Sequence, residues 1–402
     1  MSSYTRRDLL FSLAALPLAR AADPLLRWVP WGDERCLVVL ELEGGNDGLN
    51  TVIPLDDGLY VRARPALSAV RRGASAVAGG HGLHAALHRL VPWFRDGFAT
   101  AVQGVGYPRP DRSHFRSRDI WHAADPALQR VSATTSGWLG RAADQLAAQG
   151  APLPGLAIGS MAMPLCVVGR RVVVPTLERI EEYALPAAEG EAGRARRASL
   201  GEVLAVPQAE GPAAAIAEIA RSAVASGERL GSALARYSAM AEYPATALGR
   251  RLQLVAQVVV SGFGTRLLHL VQGGYDTHAR QLPTHEALLR ELGDALAAFL
   301  ADLRGHGALA RTAVLVHSEF GRRVAENQSL GTDHGAAAPV FVCGAGVRAP
   351  LLGSPPRLDR LDDGDLHADV DFRSVYAALL ARTGIAVEGV IGDVPAPLEI
   401  FG

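Results

Sequence analysis

Asp333 and His334 sit between Gly331 and Gly335 in "SLGTDHGAAAPVFVCGAG" (329–346), directly ahead of an apolar run. An acid and an imidazole placed there form either a turn held by their own side chains or part of a metal site. "GGYDTHARQ" sets Asp276 and His278 two residues apart behind a second apolar run, where ligand and turn readings balance. Glu319 emerges from "AVLVHS", a buried-looking strand, and a carboxylate there reads as functional sooner than structural. Asp47 in "GGNDGLN" is a residue that any tight turn carries. Each signal is weak alone. Gathered on one rim, the acids and imidazoles would repel one another without a counter-cation, and one or two divalent ions (Zn, Mg, Mn or Ca) are the simplest compensation.

A hydrolytic site also needs a nucleophile. "RPDRSHFRSRDIW" (109–121) follows a strand-like run and opens a helix near Ser113. Backbone N–H groups and the helix dipole stabilise an anion there. A serine activated by a metal could attack phosphorus or sulfur, with Arg112, Arg116 or Arg118 holding the oxygens. The plainer reading makes Ser113 only an N-cap. His114 fits a ligand, a proton donor or a packed ring equally well.

The elements that must carry these residues form a repeating pattern. Apolar runs at 36–50, 98–108, 265–278, 312–323 and 339–346 read as strands that end in glycine and polar residues. Leu288, Leu289, Leu292, Leu296, Phe299 and Leu303 follow helical spacing between the third and fourth, predicting a helix over 284–304. Strand, helix and strand at this length make a βαβ unit, hence an α/β fold with a mostly parallel sheet sandwiched by helices. In such sheets ligands bind beyond the carboxyl ends of the strands, where these candidates lie. A Pro/Gly/Ala/Glu-rich segment and a long helical stretch, together about 185–260, read as a linker and helical insertion. "DFRSVYAALLAR" (371–382) reads as a closing helix capped by Asp371.

The 402 residues carry a formal net charge of -1 with no long run of one sign, which gives no footprint for nucleic acid. All 40 basic side chains counted as Lys or Arg are arginine, which excludes Schiff-base chemistry and a P-loop lysine. Cys36, Cys166 and Cys343 lie far apart in apolar stretches and read as small buried hydrophobes. His81, His84, His88 and His122 read as surface or packing residues, and His367 as a loop residue. Arg6 and Arg7 precede an apolar run, Leu9 to Leu18, and an Ala-Arg-Ala cleavage site. Residues 1–22 resemble a twin-arginine signal peptide, with a general secretory signal as the alternative. The run is too short to span a bilayer, so 23–402 is expected as one periplasmic or secreted domain without a membrane span.

"VVLELEGGNDGLNTVIP", "SHFRSRDIW", "SGWLGR", "GGYDTH", "HSEFGRRVAENQSLGTDHG" and "DFRSVYAALL" together resemble the exported bacterial family called domain of unknown function 1501. That family resembles the alkaline phosphatase superfamily, which includes the sulfatases. The resemblance implies an alkaline-phosphatase-like fold, Asp47 as a metal ligand after the first strand and Ser113 as the nucleophile. It also implies Asp276 with His278, Glu319 and His334 as ligands, with Asp333 beside them. Phe320 stands where the superfamily has a histidine, so a second metal position is lost or recruits His114 or Asp333.

The resulting expectation is an exported, metal-dependent hydrolase of phosphate or sulfate esters, acting on a small-molecule or polymer substrate and served by the twin-arginine machinery. Ser113, His114 and Arg116 are its catalytic residues. Asp47, Asp276, His278, Glu319, Asp333 and His334 are its metal ligands. The rival expectation, favoured by Phe320, is an exported metal-binding or assembly protein that keeps the fold without turnover.

Overall fold

Cys36–Leu42, the first apolar run, is strand β1, and every one of its residues is buried. Unbroken burial is what a central strand covered on both faces requires. The computed structural model describes residues 35–402 apart from 152, 160–162, 173, most of 179–235, 263 and 393–395. The segment 1–22 and most of 185–260 therefore lie outside the described residues.

A small antiparallel sheet of β2 (Val52–Pro54), β3 (Ser75–Ala78) and β4 (His81–Leu83) stands beside the main one. The main sheet adds β5 (Ala99–Gly106), β6 (Gly155–Ile158), β7 (Thr176–Leu177), β8 (Leu267–Gln272) and β9 (Thr312–His317). It is completed by β10 (Ala338–Cys343), β11 (Leu351–Gly353) and β12 (Val370–Asp371). Its order is β11-β5-β10-β9-β1-β8-β6-β7, with β12 also beside β5. β1 runs parallel to both β8 and β9, while β10 is antiparallel to its two neighbours. The sheet is thus mixed but mostly parallel, as the strand and helix pattern implied.

Five helices supply most of the cover: α1 (His114–Ala123), α2 (Trp138–Ala148), α3 (Ala247–Val260), α4 (Gln281–Gly305) and α5 (Phe372–Thr383). Alternation along the strands divides the core. Val38 and Leu40 pack with Leu252, Val255, Leu292, Leu296 and Phe299 of α3 and α4. Leu37 and Val39 pack with Ile120, Trp121, Ala142, Val375 and Leu379 of α1, α2 and α5. α4 carries the chain from β8 to β9 past β1, the crossover read from its leucine spacing. α5 starts where expected, with the Asp371 carboxylate accepting the Arg373 N–H at 2.9 Å. α3, the described helix within 211–260, buries Leu252 and Val255 fully against the sheet.

Candidate metal centre

Two loops and one helix start meet beyond the carboxyl ends of β8 and β9. The loop after β8 brings Asp276 and His278, the loop ahead of β10 brings Asp333 and His334, and α1 opens on His114. Close backbone approach explains the two glycines around Asp333 and His334. A Cβ on Gly331 would lie 2.3 Å from the His278 backbone, and one on Gly335 would lie 2.5 Å from the Arg322 backbone. Only hydrogen fits at either place.

The imidazoles are fixed by what their remote nitrogens hold. His334 Nδ1 lies 2.8 Å from the Arg112 carbonyl oxygen, which can only accept, so Nδ1 carries the proton. His114 Nδ1 donates to Glu319 Oε1 at 2.8 Å, and His278 Nδ1 to Asp333 Oδ1 at 3.2 Å. In the neutral rings each Nε2 is then a bare lone pair. Those nitrogens converge on one oxygen: Asp276 Oδ1 is 2.9 Å from His278 Nε2, 3.1 Å from His334 Nε2 and 3.4 Å from His114 Nε2. The Nε2 atoms of His278 and His334 face each other at 2.8 Å, and buried His114 Nε2 has no hydrogen-bond partner. Lone pairs so crowded need a proton or a cation among them.

The electrostatics fit that need. Burial would raise the Asp276 carboxyl, but Arg322, His334 and His278 hold it well below the usual carboxylate range. Arg322 donates to Asp276 Oδ1 at 2.8 Å and is itself anchored on the Gly45 and Thr332 carbonyls. The Glu319 hydrogen bond raises His114, against burial, while burial lowers His334 despite Asp276. The donor set, three imidazoles and one carboxylate, suits zinc and similar transition metals. Mg and Ca, which prefer oxygen ligands, suit it less.

The structure brings Asp276, His278 and His334 together, and sets His114, expected as a catalytic residue, beside them. Asp47 does not join them. It is fully buried, with Arg64 Nη1 at 2.6 and 2.9 Å from its two oxygens and Gln281 Nε2 donating at 2.5 Å. Its carboxylate is matched by a guanidinium, which leaves nothing for a metal to neutralise. Burial would raise this carboxyl, but Arg64 and His285 hold it below its ordinary range. Glu319 is also displaced from the ligand role: its oxygens accept from His114 Nδ1, the Gly44 N–H and Ser318 Oγ. Asp333 likewise faces the far nitrogen of His278 and accepts from Asn327, whose hydrogen bond first of all keeps the Asp333 carboxyl low. Both acids thus stand on the remote nitrogens of the rings, the place that carboxylates take behind metal-bound histidines. Phe320 packs against two of the rings, its centroid 4.9 Å from His114 and 4.8 Å from His334, which are themselves 4.3 Å apart.

Ser113 is exposed at the N-cap of α1, and its side chain makes no cap hydrogen bond. Of the nearby arginines, Arg112 is paired with Asp365 and Asp363, and Arg118 with Glu43. Arg116 makes no ion pair among the described residues. Arg322 is committed to Asp276 and to four backbone carbonyls, including those of Gly44 and Tyr275.

Among the described residues no helix is long and apolar enough to cross a membrane. No curated protein matches the chain. Among solved structures, the chain is similar to the C-terminal periplasmic domain of EcEptC from Escherichia coli in complex with Zn, at 11% identity and TM-score 0.38, covering 82% of this chain and 76% of that one. The PsFucS1 sulfatase from Pseudoalteromonas sp. shares 10% identity at TM-score 0.41, covering 89% and 69%. An alkaline phosphatase superfamily protein from Vibrio parahaemolyticus shares 12% at TM-score 0.41, covering 97% and 78%. A family model matches residues 92–392, a span that holds His114, Asp276, His278 and His334. With well over half of its length matched, the chain belongs to the family described as Protein of unknown function (DUF1501).

Proposed function

We propose that this protein is an exported, metal-dependent hydrolase of phosphate or sulfate esters whose centre is the His114, Asp276, His278 and His334 cluster. One observation carries the reading: three imidazole Nε2 atoms, each with its Nδ1 proton held elsewhere, converge on one Asp276 oxygen. These four residues would hold a divalent cation, which when bound supplies Lewis-acid polarisation of an ester oxygen. Arg322 keeps Asp276 ionised, and Glu319, Asp333 and the Arg112 carbonyl keep the three rings in the ligating tautomer.

Ser113 precedes His114 directly and leaves its hydroxyl exposed at the start of α1. It is the nucleophile in this reading. As its oxygen bonds to phosphorus or sulfur, the bond to the alcohol oxygen breaks; the serine proton goes to solvent and the alcoholate takes one up. Water then cleaves the seryl ester. Arg116, the nearby arginine without an ion pair among the described residues, is the side chain left to hold the non-bridging oxygens.

The test uses full-length protein purified after export, loaded with zinc or manganese and offered aryl phosphates, phosphodiesters and aryl sulfates. Ser113→Ala is expected to bind metal like the wild type and to lose at least about 100-fold in cleavage rate. His334→Ala is expected to lose both metal and cleavage. Wild-type protein that binds metal and cleaves none of these esters contradicts the hydrolase and leaves the binding protein.

A further inference from the structure

Alternation puts two residues of one buried cluster, both ionisable, where the strands should bury apolar ones. Glu41 follows Leu37 and Val39 on the α1 face of β1, and His269 follows Leu267 on the same face of β8. His122 reaches this pair from the last turn of α1, and Cys166 from the short helical turn Leu165–Val167. All four are buried, at 1% exposure for Glu41, 5% for His122, 2% for His269 and 1% for Cys166.

Their ligating atoms face inward on one another. A nitrogen of each histidine and Cys166 Sγ lie within 4.8 Å of one another. Glu41 Oε2 is 2.8 Å from His122 Nε2 and 3.4 Å from His269 Nε2. Two atoms of the group, Glu41 Oε1 and His269 Nε2, are buried with no hydrogen-bond partner. A fold rarely leaves such atoms bare without something to satisfy them. Glu41, His122 and His269 also line a cavity of about 530 Å³, along with Arg118 and Arg251.

We propose that Glu41, His122, Cys166 and His269 form a second metal site, for a single transition-metal ion of the zinc type, at the floor of this cavity. Two imidazoles, a thiolate and a carboxylate are a donor set that selects zinc or cobalt and rejects magnesium and calcium. With bonds of about 2.0–2.1 Å, two tetrahedral N or O ligands stand roughly 3.3 Å apart, which the Glu41–His269 pair already meets. The site does not form a binuclear pair with the exposed centre. His114 and His122 are eight residues apart on α1, roughly 12 Å along its axis, whereas paired catalytic metals sit about 3.5–4 Å apart.

Cobalt reports the thiolate directly. Full-length protein is stripped with chelator, reloaded with Co²⁺ and read by absorption, with bound metal counted after gel filtration. The wild type is expected to show a near-ultraviolet sulfur-to-cobalt charge-transfer band, and His334→Ala to keep that band while losing one equivalent of metal. Cys166→Ser is expected to lose the band, and His269→Gln to lose one equivalent while the exposed centre still loads. A wild-type protein that takes up cobalt with no thiolate band overturns the site, without recourse to any variant. So does a band that survives in folded Cys166→Ser, since Cys36 or Cys343 would then be its source. Failure of ester cleavage does not bear on these readings.

Discussion

At the scale of single residues, the difference between a ligand and the residue that aims a ligand is a matter of which atom faces which. Asp276, His278 and His334 were legible as a group because each follows or precedes a strand end. Their neighbours Glu319 and Asp333 carry the same chemistry in the sequence, and only the coordinates show them on the remote nitrogens. Asp333→Asn should therefore weaken metal affinity about 10–100-fold without removing a ligand. Equilibrium dialysis of the variant checks this; abolished binding would make Asp333 a ligand after all. Glu41 and His269 leave a trace in the sequence. An acid inside "CLVVLEL" and an imidazole inside "LLHLVQ" are ionisable groups in strands that are almost wholly buried, and that is where a buried site announces itself. His122 and Cys166 gave no such signal, since a helix face and a lone cysteine look the same with or without a metal.

At the scale of elements, the strands and α4 followed from continuous apolar runs and leucine spacing, whereas the partners of a buried charge did not. Asp47 read as a ligand or a turn because Arg64 lies 17 residues on, across a helix whose path the sequence does not reveal. Asp47→Asn would leave a buried guanidinium without its counter-charge and should cost about 3–5 kcal/mol, measurable by urea unfolding. Beside this pair, burial lowers fully buried His285 to about 4, with Nε2 set 2.9 Å from Asn46 Oδ1. The unfolded imidazole titrates near 6.5, so below that pH protons favour the unfolded chain. The contribution of neutral His285 is complete above about pH 6.5 and is lost as pH falls toward 4, to a total of about 3 kcal/mol. His285→Gln should flatten that limb of the stability profile; an unchanged limb would place the titration elsewhere. The packing of the loops is equally demanding. Gly335→Ala should push the His334 loop off the Arg322 backbone and reduce metal affinity while leaving the sheet intact by circular dichroism.

At the scale of the whole molecule, one mostly parallel sheet with helices on both faces brings residues from 114 to 334 to a single edge. That convergence follows from the strand order, with β8 and β9 flanking β1, which no local pattern reveals. Export belongs to this scale as well. Replacing Arg6 and Arg7 by lysine keeps the positive charge that a general secretory signal needs but removes the twin-arginine pair. In the native host this variant should accumulate inside the cell; unchanged export would point to the general route. The claim on which the rest stands is that His114, Asp276, His278 and His334 surround a metal ion. Crystals of zinc-loaded protein measured across the zinc absorption edge test it most directly. The expected result is an anomalous peak within bonding distance of those three Nε2 atoms and the Asp276 oxygen. A map with no peak there, and histidines hydrogen-bonded to one another instead, would contradict it.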